Sequence, residues 1–176
     1  AMHPDGTVSD HVYKLNTVWP AGMSCARSIP GSRRIVAVGG NHYYPGTGAV
    51  VLVDNRRSRR GTEAMHCLTP EIGYPPTYSM PSKFGVFTDP YPFSEKLFLA
   101  SYAPPGAKRG LAPYGLYVLD AWGNRAEIHR DAEMSCFEPM PLRSRPKPTE
   151  IAAVEKHPAK KMGQSGTLFI QDVYSG

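Results

Sequence analysis

Short apolar runs broken by glycine, proline, aspartate and asparagine recur along this chain, and no run sustains the 3.6-residue period of an amphipathic helix. The clearest runs are 35–38, 49–53, 97–102, 116–119 and 167–170, rich in Val, Ile, Leu, Phe and Tyr. Residues 64–68 and 126–129 are weaker candidates of the same kind. Runs of this length are strands rather than helices. The 17 glycines and 18 prolines make up about a fifth of the 176 residues, well above the usual ~12%. That density of backbone punctuation suits many short strands and works against long helices. Only 149–156 gathers helix-favouring residues, at Glu150, Ala152, Ala153 and Glu155. Pro146, Pro148 and Pro158 crowd it, so it reads equally as a helical turn or a linker.

The runs repeat in order. A turn leads into a strand at Pro30-Gly31-Ser32-Arg33-Arg34-Ile35-Val36 and again at Pro92-Phe93-Ser94-Glu95-Lys96-Leu97-Phe98. A second pattern, glycine, apolar strand, aspartate, runs from Gly48 to Asp54, from Gly115 to Asp120 and from Gly166 to Asp172. The aspartates are 66 and 52 residues apart, and a spacing of ~40–50 with four strands per unit marks a propeller blade. Insertions at 73–82 and 104–113 lengthen the units. The expected fold is all-β: a partial β-propeller of about three blades of antiparallel strands, a fragment of a larger propeller. Its parts are a blade end at 1–20, blades at 21–72 and 85–131, and a partial blade at 132–176 that contains a Pro-rich linker at 141–165. A β-sandwich or another small all-β domain is the alternative. One blade cannot bury both of its faces, so three units do not close a ring. Both ends read as cut from a longer chain, and the isolated segment is expected to be poorly stable, with exposed strand edges.

The net charge of +5 and pI of about 9.2 owe part of their value to Arg56, Arg57, Arg59 and Arg60. This cluster follows Asp54 and Asn55 and precedes Gly61, the setting of a solvated turn. Basic residues interleaved with exposed aromatics on a known module would be needed for nucleic-acid binding, which is not expected. No apolar run approaches the ~18 residues of a membrane helix, and no signal peptide opens the segment. The three cysteines, Cys25, Cys67 and Cys136, include no CxxC pair and leave at least one thiol unpaired within the chain.

Catalytic motifs are sparse, and no self-contained catalytic site is expected. Gly163-Gln164-Ser165-Gly166 lacks the spacing of a nucleophile elbow. Gly46-Thr47-Gly48 precedes a strand, where a phosphate cradle would precede a helix. Asp54, Asp120 and Asp172 are best read as turn-initiating acids that bond nearby backbone N–H groups. Ligand binding has candidates in His42, Tyr43, Asp89 and Tyr91, within loops crowded by Tyr44, Tyr74, Tyr78, Phe84 and Phe87. Metal binding has Cys136 and His42, with the pair His66-Cys67 nearby in type; a zinc site needs three or four such ligands to converge.

Several segments resemble the hydrazine synthase alpha-subunit-like family in its middle, β-propeller region. They are Ile29-Pro30-Gly31-Ser32-Arg33-Arg34-Ile35-Val36-Ala37, 48–54, Leu68-Thr69-Pro70-Glu71, Asp89-Pro90-Tyr91-Pro92-Phe93-Ser94, 115–120 with Trp122-Gly123-Asn124, 139–146, and 166–174. The stretch 2–7 is similar to blade turns of TolB-type propellers. The resemblance implies a large exported bacterial protein, periplasmic or secreted, in which a propeller precedes a region able to carry c-type haem. This chain has no CxxCH, so no cofactor is expected in the segment itself and no catalytic residue carries over. The resemblance also implies a cysteine of the propeller region near metal or haem, for which Cys136 is the first candidate, though no motif matches it.

The expected role is a non-catalytic scaffold and docking portion of a multidomain protein, whose partners are other blades and domains of the same chain and a protein partner. A glycan-binding or hydrolytic propeller module, with its site in the aromatic and acidic loops, is the alternative. It requires a concave site in which several of His42, Tyr43, Asp89 and Tyr91 converge. A propeller joined to a peptidase domain is a third reading, requiring a serine hydrolase elsewhere in the gene.

Overall fold

A computed structural model describes residues 12–13, 20–40, 46–72, 83–105 and 113–144. All belong to one compact unit, Asp10–Arg145. The expected run at 167–170, the pattern ending at Asp172, the stretch 149–156 and most of the blade end at 1–20 lie outside them.

The described residues form an all-β antiparallel sheet of eight strands that does not close on itself. The strands are β1 (Gly22–Ser28), β2 (Ile35–Gly40), β3 (Gly48–Val53), β4 (Met65–Cys67), β5 (Val86–Pro92), β6 (Leu97–Ala103), β7 (Gly115–Asp120) and β8 (Arg125–His129). Single 3-10 turns at Thr62–Ala64 and Pro70–Ile72 are the only helical elements among the described residues. Each expected run in the described region holds a strand, one or two residues longer than its apolar stretch except at 64–68, where β4 spans only Met65–Cys67. β1 and β5 were not expected as strands.

The sheet is two meanders. β1 to β4 pair consecutively, and so do β5 to β8. A single pair, Gly48 with Phe87, joins them. Gly48 has no room for a side chain, because a Cβ there would meet the Gly39 carbonyl oxygen at 2.1 Å. Beyond this junction the ladder of β3 is extended by a side chain: the Val50 N–H donates to Thr69 Oγ1 at 3.0 Å, and the Leu68 N–H donates to the Val50 carbonyl at 2.8 Å. Thr69 is fully buried, so its hydroxyl completes a backbone group that would otherwise be left without a partner.

One core serves both meanders. Val36, Val50, Val51, Leu52, Leu68, Phe87, Phe98, Tyr102 and Leu119 belong to it. Phe87 and Tyr102 stack with centroids 4.6 Å apart, and Tyr117 meets Tyr102 edge-on at 5.0 Å. All six residues of β3 are buried, which marks a strand covered on both faces. Arg125 on β8 lies over the Tyr102 ring at 4.9 Å and pairs with Glu71, in the segment after β4. It therefore ties the last strand of one meander to the trailing turn of the other.

Candidate functional site

Two polar centres stand out. The first lies along the turn that leaves β3. Asp54, buried, accepts the Arg56 backbone N–H at 3.2 Å, Arg56 Nε at 2.8 Å and Nη2 at 2.6 Å, and Arg34 Nε at 3.4 Å. The hydrogen bond from the Arg56 side chain, with further help from its backbone and from Arg34, holds the Asp54 carboxyl well below the usual carboxylate range. Arg34 also reaches Glu95 at 3.4 Å, in the turn between β5 and β6. A cleft of about 310 Å³ opens beside this group, lined by Arg34, Asp54, Arg57, Glu63, Met65 and His66 among others. Its lining carries both acids and bases, so it offers mixed polar contacts rather than a field of one sign. The arginine cluster thus occupies a turn, and Arg56 is bound back onto Asp54.

Asp120 does for β7 what Asp54 does for β3. Its Oδ1 accepts the N–H groups of Trp122 at 2.8 Å and Asn124 at 3.0 Å, and its Oδ2 accepts Asn124 Nδ2 at 2.8 Å. Both aspartates are the turn-holding acids expected of them.

The second centre lies where the first strands of the meanders come together. β1 carries a bulge between Ser24 and Arg27, and β5 carries one between Thr88 and Tyr91. The bulge residues Cys25 and Asp89 have φ of 53° and 50°, a left-handed backbone that non-glycine residues adopt at some cost. Cys25 Sγ donates to Asp89 Oδ1 at 3.2 Å, and the Glu138 N–H donates to Asp89 Oδ2 at 3.4 Å. Next along the strands, the Arg27 guanidinium lies 5.7 Å from the Tyr91 ring centroid, and Tyr91 meets Phe93 edge-on at 5.8 Å.

Asp89 and Tyr91, expected in a loop, lie inside strand β5. The physical reason is the bulge: it re-aims the strand around Asp89 and lets Pro90 stand where a regular central ladder would exclude it, while Pro92 is the last residue of the strand. Tyr91 is nearly buried, at 8% exposure. His42 and Tyr43 lie outside the described residues, so of the four ligand-binding candidates only this pair is placed. Cys136 is half-buried. Its N–H donates to the Tyr114 carbonyl at 2.8 Å, and Phe137 beside it stacks on Tyr114 at 4.9 Å. His66 and Cys67 sit side by side on β4, and burial pushes the Cys67 thiol up. Among the described residues, no three His, Cys, Asp or Glu side chains converge as a metal-ligand set.

Cys25 and Glu138 were not anticipated as members of a site. The signal for Glu138 was present: Glu138-Pro139-Met140-Pro141 repeats the pattern of Asp89-Pro90-Tyr91-Pro92. Comparison of the chain with protein-family models, curated proteins and solved structures finds no match.

Proposed function

We propose that this chain is a stretch of β-propeller, each meander one blade, serving as a non-catalytic scaffold and docking portion of a large exported protein. The observation that carries this reading is the matched pair of four-stranded meanders. Each opens with a strand bulged at the same place, and the two opening strands lie side by side through Cys25–Asp89 and Arg27–Tyr91. A blade is a four-stranded antiparallel sheet whose first strands gather around a central axis. The single Gly48–Phe87 pair suits two blades in face contact better than one continuous sheet.

The scaffold role draws support from what the acids do. Asp54, Asp89 and Asp120 direct their oxygens to bonds within the chain, so they hold turns and bulges in place. The resemblance to the hydrazine synthase alpha-subunit-like family supplies the rest of the proposal: export, a multidomain parent, and a c-type haem region downstream of the propeller.

The test is the full reading frame that contains this segment. Further glycine–strand–aspartate units and a downstream CxxCH support a scaffold beside a haem domain. A serine-hydrolase motif in place of CxxCH points to the peptidase-linked form. A frame with neither further units nor another domain overturns the proposal.

A further inference from the structure

The cleft beside Asp54 gathers charged side chains that the scaffold role does not use. Arg34 leads into β2, Asp54 leaves β3, Arg57 and Glu63 lie in the connection to β4, and His66 stands on β4 itself. The antiparallel register sets His66 opposite Leu52, and the ladder thereby fixes where its ring meets the cleft. Leu52 and Ala64, both buried members of the core, give the lining an apolar part. The volume of about 310 Å³ lies at the lower end of the range for small-molecule sites.

The lining holds both signs of charge, but its acids are already engaged. Asp54 accepts three hydrogen bonds from Arg56 and one from Arg34. Hydrogen bonds with its own N–H and with Ser58 hold the Glu63 carboxyl below its usual range. The cations are not all spent. Arg34 is shared between Asp54 and Glu95. The Arg57 N–H donates to the Asp54 carbonyl at 3.1 Å, which fixes the residue in the turn. Among the described residues, however, no hydrogen bond or ion pair holds its guanidinium, and none holds the His66 ring. The hydrogen-bonding capacity left to a ligand is therefore mainly that of donors. Arg57 offers a planar fork that matches the two oxygens of an oxyanion, and one ring nitrogen of His66 donates in either tautomer.

We infer that this cleft binds a small organic oxyanion, a carboxylate or a phosphate ester, held by the Arg57 guanidinium and the His66 ring with its apolar body against Leu52 and Ala64. Arg56 serves the site indirectly. By neutralising Asp54 it removes the free carboxylate that would repel an anion. A cationic ligand is disfavoured for the same reason, because the acids it would need are bonded within the chain. The inference stands apart from the blade reading, since every residue it uses lies on β2, β3, β4 or their turns.

Isothermal titration calorimetry on the natural protein that contains this chain tests it, with benzoate, phenyl phosphate and inorganic phosphate as probes at fixed ionic strength. Benzoate or phenyl phosphate should bind saturably, with a dissociation constant below about 1 mM. Arg57→Gln should weaken that binding at least about tenfold, the loss of a charge-assisted pair. Arg60→Gln removes the same charge from the same exposed turn but outside the cleft, and should change binding less than about twofold. Tighter binding of benzoate assigns the site to carboxylates, and tighter binding of phenyl phosphate assigns it to phosphate esters. Equal weakening by the two substitutions overturns the site in favour of general attraction to a basic turn. So does the absence of saturable binding by either organic probe, or binding that Arg57→Gln leaves unmoved. Inorganic phosphate bound as tightly as phenyl phosphate overturns the part given to Leu52 and Ala64.

Discussion

At the scale of single residues, carboxylates organise this chain. Asp54 illustrates it. Its folded carboxyl titrates well below the unfolded value of ~3.9 because Arg56 and Arg34 bond its charged form. A depressed folded value means that the stabilising contribution is complete above about pH 4 and is lost as pH falls through the folded value. The melting temperature should therefore drop between pH 5 and pH 2, and Asp54→Asn should flatten that slope while lowering the plateau at pH 7. An unchanged slope in the variant would remove Asp54 from the account. Asp89 makes a second case. Asp89→Ala frees the Cys25 thiol and the Glu138 N–H together and should cost about 1–3 kcal/mol in urea unfolding. Asp89→Asn should cost less, because asparagine tolerates positive φ and keeps one acceptor. The roles of Asp54 and Asp120 were legible in the sequence, since an acid at the start of a polar turn has a local job. Asp89 was legible as a polar residue of note but not in its role, because its partners lie 64 and 49 residues away.

At the scale of elements, the strands that the sequence shows most clearly are the apolar ones, β2, β3, β6 and β7, and the weaker runs are β4 and the exposed β8. β1 and β5 escape a reading by periodicity for one physical reason. Each carries a bulge, which adds a residue and breaks the alternation of two. β1 also reads as polar, Gly-Met-Ser-Cys-Ala-Arg-Ser, and β5 contains two prolines. The structure shows what periodicity misses in such strands: the bulge recurs at the same place in each meander. The junction between the meanders gives the prediction for this scale. Gly48→Ala would drive a Cβ against the Gly39 carbonyl oxygen and should destabilise by about 1–3 kcal/mol through overpacking. Gly22→Ala, with nothing within 4 Å of the added Cβ, is the control and should be close to neutral. Equal losses from the two substitutions would show that β3 is not pinned at that point.

At the scale of the whole molecule, the two meanders of the one sheet share a core, and the last strand of the second is linked to the turn after β4 by Arg125. Truncating it removes a cation from the Tyr102 and Phe87 rings and a partner from Glu71. Arg125→Ala should cost about 1 kcal/mol in chemical denaturation, and Arg125→Lys should recover only part of it, since a guanidinium stacks where an ammonium does not. The all-β class was legible from glycine, proline and the short apolar runs. The pairing of the meanders was not, because it depends on contacts among residues far apart, and on both faces of the same strands. In the blade reading, the loops at the sheet ends carry the docking contacts and the acids keep those ends in shape. The most direct measurement is a cryo-electron microscopy structure of the natural protein that contains this chain. A ring of radial four-stranded sheets is expected, with β1 and β5 as neighbouring strands nearest the axis and Cys25 beside Asp89. A closed sandwich or barrel made by β1 to β8 alone would contradict it.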